Sequence, residues 1–237
     1  MAEPVYKRVL LKVSGEALAG NQGHGLDFNI INQLCDALQD SLALGVQIGI
    51  VVGGGNFWRG AKNVQIERSR SDHIGMLATV MNCLAVADVC EQKNIPVRVQ
   101  TAIAIPTVAD SYTYRSADEN LKQGRVVIFG AGTGSPYFST DTGAVLKAVE
   151  LHADLILLAK NVDGVYSADP VKYPNATRYD KISYSETLEK RLGVMDLTAT
   201  SLAMENHIPI RVFAVKDPEN ITRILKGEAI GTLVSEN

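Results

Sequence analysis

The run Gly53-Gly54-Gly55-Asn56 ends the apolar stretch Val46 to Val52, and Trp58, Arg59 and Gly60 follow closely. Three consecutive residues without a Cβ let backbone N–H groups turn toward one point, and Arg59 can bring a planar cation to the same place. Such a constellation suits an anion, above all a phosphate. The plainer alternative is a tight turn after a buried strand, which accounts for one glycine well and for three poorly.

Three more segments have the same character. In Lys12-Val13-Ser14-Gly15-Glu16 a lysine near a strand end precedes a small turn, so its ammonium can stand beside a phosphate held by the Ser14 and Gly15 amides. Taken alone, Lys12 fits a solubilising strand end as well. Gly130-Ala131-Gly132-Thr133-Gly134-Ser135-Pro136 runs through Tyr137, Phe138, Ser139 and Thr140 to Asp141, where a helix is expected to start. Its glycines free the backbone, Thr and Ser supply hydroxyls, and a helix start offers unsatisfied N–H groups to an anion. Asp141 is either catalytic or a helix residue that compensates the dipole. The segment from Lys160 and Asn161 through Asp163-Gly164, Tyr166 and Asp169-Pro170 sets a second lysine just past a buried strand and a tyrosine that can lie against a flat ring. Its turn dipeptides also fit an ordinary structured loop.

The elements that must position these residues are legible as short β-branched runs alternating with helical patterns. The runs are Arg8 to Val13, Val46 to Val52, Val97 to Thr101, Val126 to Phe129, Leu155 to Leu158, Ile210 to Ala214 and Thr232 to Val234. Their near-continuous hydrophobicity suits strands covered on both faces. Asp27 can cap a helix with Ile31, Leu34, Leu38 and Leu42 on one face and Gly45 at its end. Ser71 or Asp72 is expected to open a second helix whose buried stripe is Ile74, Leu77, Ala78, Met81 and Leu84. Thr140 or Asp141 precedes a third, with Val145, Leu146, Ala148, Val149 and Leu151 as its apolar residues. The pattern is that of an α/β fold with a mainly parallel sheet, and with no linker or repeat to divide it, residues 1–237 read as one domain. In such sheets ligands gather beyond the carboxyl ends of strands, where these Gly-rich segments begin.

Bulk properties narrow the function. With 46% hydrophobic and 21% charged residues and a net charge of −3, the chain is an ordinary globular protein, and nothing points to nucleic acid or an acidic membrane. Polar residues or glycine interrupt every apolar run before about 18 residues, so no membrane span is expected, and Met1 to Lys7 lacks the apolar core of a signal peptide. The three cysteines, Cys35, Cys83 and Cys90, read as reduced core thiols of a cytosolic protein, and the four scattered histidines suggest no metal cluster. There is no Walker A sequence, no dinucleotide fingerprint, no protein-kinase signature and no nucleophile elbow.

The segments LLKVSGEAL, VVGGGNFWRG, DHIGMLATVMN, GTGSPYFSTD and VDGVYSADP, with Met195-Asp196-Leu197 and Pro209 to Phe213 further on, closely resemble the bacterial UMP kinases of the amino acid kinase family. The resemblance runs over essentially the whole chain. It implies a three-layer αβα sandwich and transfer of the ATP γ-phosphoryl to UMP with Mg²⁺, giving UDP and ADP for pyrimidine nucleotide biosynthesis. It also implies a cytoplasmic homohexamer, activated by GTP and inhibited by UTP. By the same resemblance ATP falls to Lys12, Val13, Ser14, Gly15, Gly55, Arg59, Lys160, Asn161, Tyr166 and Asp169. UMP falls to Gly54, Gly55, Arg59, Asp72, Thr133, Gly134, Ser135, Pro136, Tyr137, Phe138, Ser139 and Thr140. GTP activation is linked to Gly20, Asn21, Gln22, Gly23, His24 and Gly25. Relatives vary around Lys160 and Asn161, and Lys62 to Arg70 looks shorter here than in some of them.

A mechanism follows from physical need. The acceptor is a phosphate oxygen already ionised at neutral pH, so no strong general base is required. The difficulty is to bring two anions together, which Lys12, Arg59, the loop amides and Mg²⁺ would ease while Asp141 and Lys160 complete the catalytic set. Asp72 is expected to accept hydrogen bonds from ribose hydroxyls, and Thr133 and Phe138 to select the pyrimidine. The competing readings are a kinase of this fold acting on a carboxylate or carbamate, and a non-catalytic nucleotide sensor.

Overall fold

The computed structural model describes residues 4–60 and 65–236. In chain order these residues form β1 (Arg8–Val13), α1 (Gly15–Ala19), α2 (Phe28–Leu42), β2 (Gln47–Val52), α3 (Arg68–Gln92), β3 (Val97–Thr101), β4 (Asp110–Ser111), α4 (Tyr114–Lys122), β5 (Val126–Gly130), α5 (Thr140–Glu150), β6 (Leu155–Lys160), β7 (Val165–Tyr166), β8 (Arg178–Tyr179), β9 (Lys181–Ser183), α6 (Tyr184–Glu189), α7 (Leu197–Glu205), β10 (Ile210–Ala214), α8 (Asn220–Leu225) and β11 (Thr232–Ser235). Nine strands make one sheet in the order β4-β3-β5-β2-β1-β6-β10-β11-β9, while β7 and β8 pair separately. Within the large sheet, the β10–β11 pairing is antiparallel and the others are parallel. Of the segment from Lys62 to Arg70, residues 62–64 lie outside the described residues.

The alternation of β1 decides what each layer sees. Val9, Leu11 and Val13 face the layer of α2, α3 and α8, where they pack with Ile31, Leu38, Val86 and Ile224. Leu10 lies in the other core, with Ala144, Val145 and Ala148 of α5 and Ala199 and Ala203 of α7. Lys12 shares the Leu10 face by the two-residue period of a strand, so it is aimed at α5. In β6 Ile156 and Leu158 occupy that same core, which puts Lys160 on the same face. Because Lys12 pairs with Leu158 in the parallel register, Lys160 stands two residues further along the neighbouring strand.

Three expectations about α3 are corrected. The helix begins at Arg68, three to four residues earlier than expected, because Glu67 caps it by accepting from the amides of Ser69 and Arg70 at 2.9 Å. Its buried residues are Ser71, Met76, Ala78, Thr79, Val80, Asn82, Cys83, Val86, Ala87, Val89 and Cys90, whereas Leu77, Met81 and Leu84 are 48%, 50% and 38% exposed. By length and composition α3 is long and apolar enough to cross a membrane, contrary to the expectation that interruptions would disqualify every run. Here its buried apolar residues, Cys83, Val86, Ala87, Val89 and Cys90 among them, belong to the core, and the helix packs on β3 and β5.

Candidate active site

Loops at the carboxyl ends of β1, β2, β5 and β6 converge, and the ends of β1 and β6 stand between two cavities. One, of about 420 Å³, is lined by Lys12, Ser14, Gly15, Glu16, Gly53, Gly54, Gly55, Trp58, Arg59, Asp72, Thr133, Ser135, Phe138, Ser139 and Thr140, among others. The second, of about 430 Å³, is lined by Lys160, Tyr166, Asp169 and the segment Lys190 to Val194. Lys12 therefore borders the glycine-lined cavity and Lys160 the other.

Between them sits Asp141, in the first turn of α5, with its Oδ1 2.5 Å from Lys12 Nζ. The pair is nearly buried, with side-chain exposures of 10% and 17%, so each charge depends on the other. Burial pulls the Lys160 ammonium below the ordinary lysine value; nearby Asp141 opposes that shift and Lys12 adds to it. Lys160 also donates to the Gly193 carbonyl at 3.0 Å, which ties β6 to the segment before α7. Two cations and one carboxylate thus lie where negative charge would have to pass between the cavities.

The glycine run has a packing role. The Gly53 amide continues the strand ladder by donating to Val13 O at 2.9 Å, so it is spent on the sheet. A Cβ on Gly54 would lie 2.8 Å from the Gly75 carbonyl of α3, and one on Gly15 would lie 2.7 Å from the Gly53 carbonyl. At Gly55 a Cβ would meet nothing closer than 3.6 Å. Gly54 and Gly15 are thus required by the close approach of backbones, whereas a Cβ on Gly55 would make only ordinary contact with Arg59 and Glu16. The arrangement is fixed by a reciprocal amide pair. Asn82 donates to Gly53 O and Asn56 Oδ1 at 2.7 and 2.8 Å, while Asn56 donates to Asn82 Oδ1 and Gly25 O at 3.0 and 2.7 Å.

The start of α5 departs from expectation. Its cap is Ser139, whose Oγ accepts from the amides of Asp141 and Thr142 at 3.0 and 3.2 Å. Those two N–H groups are therefore not left for an anion. Ser139 in turn donates to Asp196, which caps α7 by accepting from Ala199 N at 2.9 Å. Asp196 is a site residue to which the sequence assigned no role, although its cap position ahead of an apolar helix is a readable signal. Glu16, ion-paired with Arg59 beside Gly55, is another.

Other expected residues fall less centrally. Val13 is buried in the core, so only its backbone can serve a ligand. Asn161 is exposed and outside the lining of both cavities, and Gly134, Pro136 and Tyr137 belong to the β5–α5 loop without lining the glycine-rich cavity. Asp72 lines that cavity, yet its Oδ2 already accepts from Arg68 Nε and Tyr137 N, each at 2.8 Å. Gly20 to Gly25 lies outside both cavities and joins the glycine loop through Asn56 and an edge-on contact of His24 with Phe57 at 5.6 Å.

A parallel sheet with this site at its strand ends defines the class: the chain belongs to the amino acid kinase family, whose model matches residues 7–214. Among solved structures it is similar to UMP kinase from Bacillus anthracis, at 38% identity and a TM-score of 0.94, over 98% of this chain and 97% of that one. It is also similar to UMP kinase from Ureaplasma parvum, at 36% identity and a TM-score of 0.91, over 97% and 99% of the two chains. Uridylate kinase from Archaeoglobus fulgidus matches at 31% identity and a TM-score of 0.74, over 96% and 99%.

Proposed function

We propose that the chain is a UMP kinase, transferring the γ-phosphoryl of ATP to UMP to give UDP and ADP in pyrimidine nucleotide biosynthesis. The carrying observation is the Lys12–Asp141 ion pair at 2.5 Å, with Lys160 close by, between two cavities of nucleotide size. Near-full-length similarity to two bacterial UMP kinases supports the same reading. UMP occupies the glycine-lined cavity, its phosphate against Arg59 and the Gly54 and Gly55 amides. The ATP base and ribose occupy the cavity of Tyr166 and Asp169, and the triphosphate reaches Lys12 across Ser14 and Gly15.

Transfer then needs alignment and charge neutralisation rather than proton abstraction, because the acceptor oxygen is already ionised. Asp141 holds Lys12 in place, and Lys12 and Lys160 follow the phosphoryl as charge moves from donor to acceptor. Arg59 leaves Glu16 for the UMP phosphate, a better bidentate partner. Mg²⁺ keeps several waters and binds chiefly through substrate phosphates, so it requires no protein cage, and the described residues hold no group of three His, Cys, Asp or Glu that could form one. When bound, it would supply positive charge that lowers the repulsion between the phosphates, and Asp141 would be the residue to hold its waters.

Residues 1–237 act as one domain in a cytoplasmic homohexamer that responds to GTP and UTP. The exposed Leu77, Met81 and Leu84, one or two turns apart on α3, support self-association, and three free buried thiols fit a reducing compartment. The contact of Gly25 with the glycine loop through Asn56 supports a GTP link to acceptor binding. The test is ADP release from ATP with UMP, CMP, acetylglutamate or aspartate as acceptor. UMP should support turnover well above the rest, and no UMP-dependent release would reject the proposal.

A further inference from the structure

The β5–α5 loop is the most contorted part of the described backbone. Ala131, Gly132, Gly134 and Tyr137 all have positive φ, at 64°, 56°, 79° and 70°. For Ala131 and Tyr137 that conformation is sterically unfavourable, so the surroundings must hold it. Both restraints come from α3. At the near end Thr79 Oγ1 accepts from Ala131 N at 2.7 Å. At the far end Asp72 Oδ2 accepts from Tyr137 N at 2.8 Å. Thr133 and Ser135, which line the glycine-rich cavity, lie between these two pins, and Phe138 follows the second.

The far pin has a third member. Arg68 Nε donates to the same Asp72 oxygen at 2.8 Å, one helical turn earlier, and its guanidinium carbon stands 5.1 Å from the centre of the Tyr137 ring. Asp72 is largely shielded, with 13% of its side chain exposed, while Arg68 is 42% exposed. A carboxylate in that position needs a fixed cation to stay oriented, and the planar guanidinium serves both the carboxylate and the ring. Asp72 Oδ1 lies beside Gly60, where a Cβ would come within 2.3 Å of it, and is the oxygen that would accept from a ribose hydroxyl.

We infer that Arg68 is a positioning residue for the acceptor nucleotide: with Asp72 and Tyr137 it latches the β5–α5 loop onto α3, setting affinity for UMP and discrimination between ribose and deoxyribose. Arg68 touches neither the transferring phosphoryl nor the cavity holding Tyr166 and Asp169, so donor binding is independent of it. This inference rests on the UMP kinase reading.

Titration calorimetry of the full chain with UMP, dUMP and ATP, on wild type, R68A and R68K, tests it. R68A should weaken UMP about tenfold, the weight of one charge-assisted hydrogen bond, with ATP affinity unchanged within about twofold. The preference for UMP over dUMP should narrow in the same variant, and R68K, which keeps the ion pair, should recover most of both. Tyr137→Gly keeps the amide and relieves the φ while removing the ring, so a smaller UMP loss than in R68A is expected. Unchanged UMP affinity in R68A, or equal weakening of UMP, dUMP and ATP, would overturn the latch while leaving the kinase reading standing. A wild-type chain that binds no UMP overturns both.

Discussion

The two cavities are held by different physics. Around the glycine-lined one the loops are locked by buried side-chain amides and hydroxyls, with Asn82, Asn56 and Thr79 between 0% and 3% exposed and bonded to backbone of other segments. Around the Tyr166 cavity the contacts are exposed. Asp163 accepts from Tyr166 and Arg178 at 2.7 and 2.9 Å, Lys172 stands 3.8 Å from Asp169, and Val171 is 86% exposed. Buried amide networks are costly to disturb, and surface ion pairs contribute about 0–1 kcal/mol. The difference teaches that this chain preorganises the glycine-lined half and leaves the other half adaptable.

The strongest way to break that contrast is at Arg59. R59A should cut kcat/KM for UMP by on the order of 10³, as loss of an arginine on transferring charge does, and steady-state kinetics that retain more than a tenth of the activity would make Arg59 a surface cation. Next comes G54A, whose Cβ meets the Gly75 carbonyl at 2.8 Å and must push α3, with Asp72, away from the loop. UMP binding should fall about ten- to a hundredfold while ATP binding changes little; equal loss of both would show that the loop is shared.

Lys160 sharpens the comparison through pH. Because burial lowers its folded-state value below the ordinary 10.5, the unfolded chain binds more protons between the two values. Stability should therefore rise with pH across that window. Turnover should fall across the same window as the ammonium is lost, so the two profiles move in opposite directions. In K160R, whose charge persists, the alkaline fall in kcat should disappear, and an unchanged limb would exclude Lys160 as its source. The smallest effect belongs to the exposed contacts: R178A should raise the KM for ATP by less than about threefold and leave the UMP affinity unchanged. A larger change would mean that the adaptable half is as tightly built as the other.

Much of this was written in the sequence, for reasons that differ by element. Arg8–Val13 and Ile210–Ala214 match their observed bounds because largely apolar runs with clear edges leave little choice, and Val97–Thr101 matches as a β-branched run that starts after Pro96. The face of α3 was misjudged because apolar residues lie all round it, so spacing cannot select between Leu77, Met81, Leu84 and Val80, Cys83, Val86. Strands of two or three residues, such as β4, β7, β8 and β9, are too short for any period to show. Glycine clusters revealed where the loops are. What joins them, such as Asp72 to Tyr137 across 65 positions or Lys160 to Gly193 across 33, exists only once the sheet has brought distant segments together.

One residue of the glycine-lined cavity has an experimental consequence of its own. Trp58 is the single tryptophan of the chain; its indole N–H donates to Ser71 Oγ at 3.0 Å, and its ring lines the glycine-rich cavity. The opposite cavity has no such chromophore among its described residues. Selective indole excitation therefore gives a built-in optical channel on the glycine-lined cavity, and on the proposed assignment of UMP to that cavity stopped-flow fluorescence of the unlabelled protein can time its arrival against that of ATP.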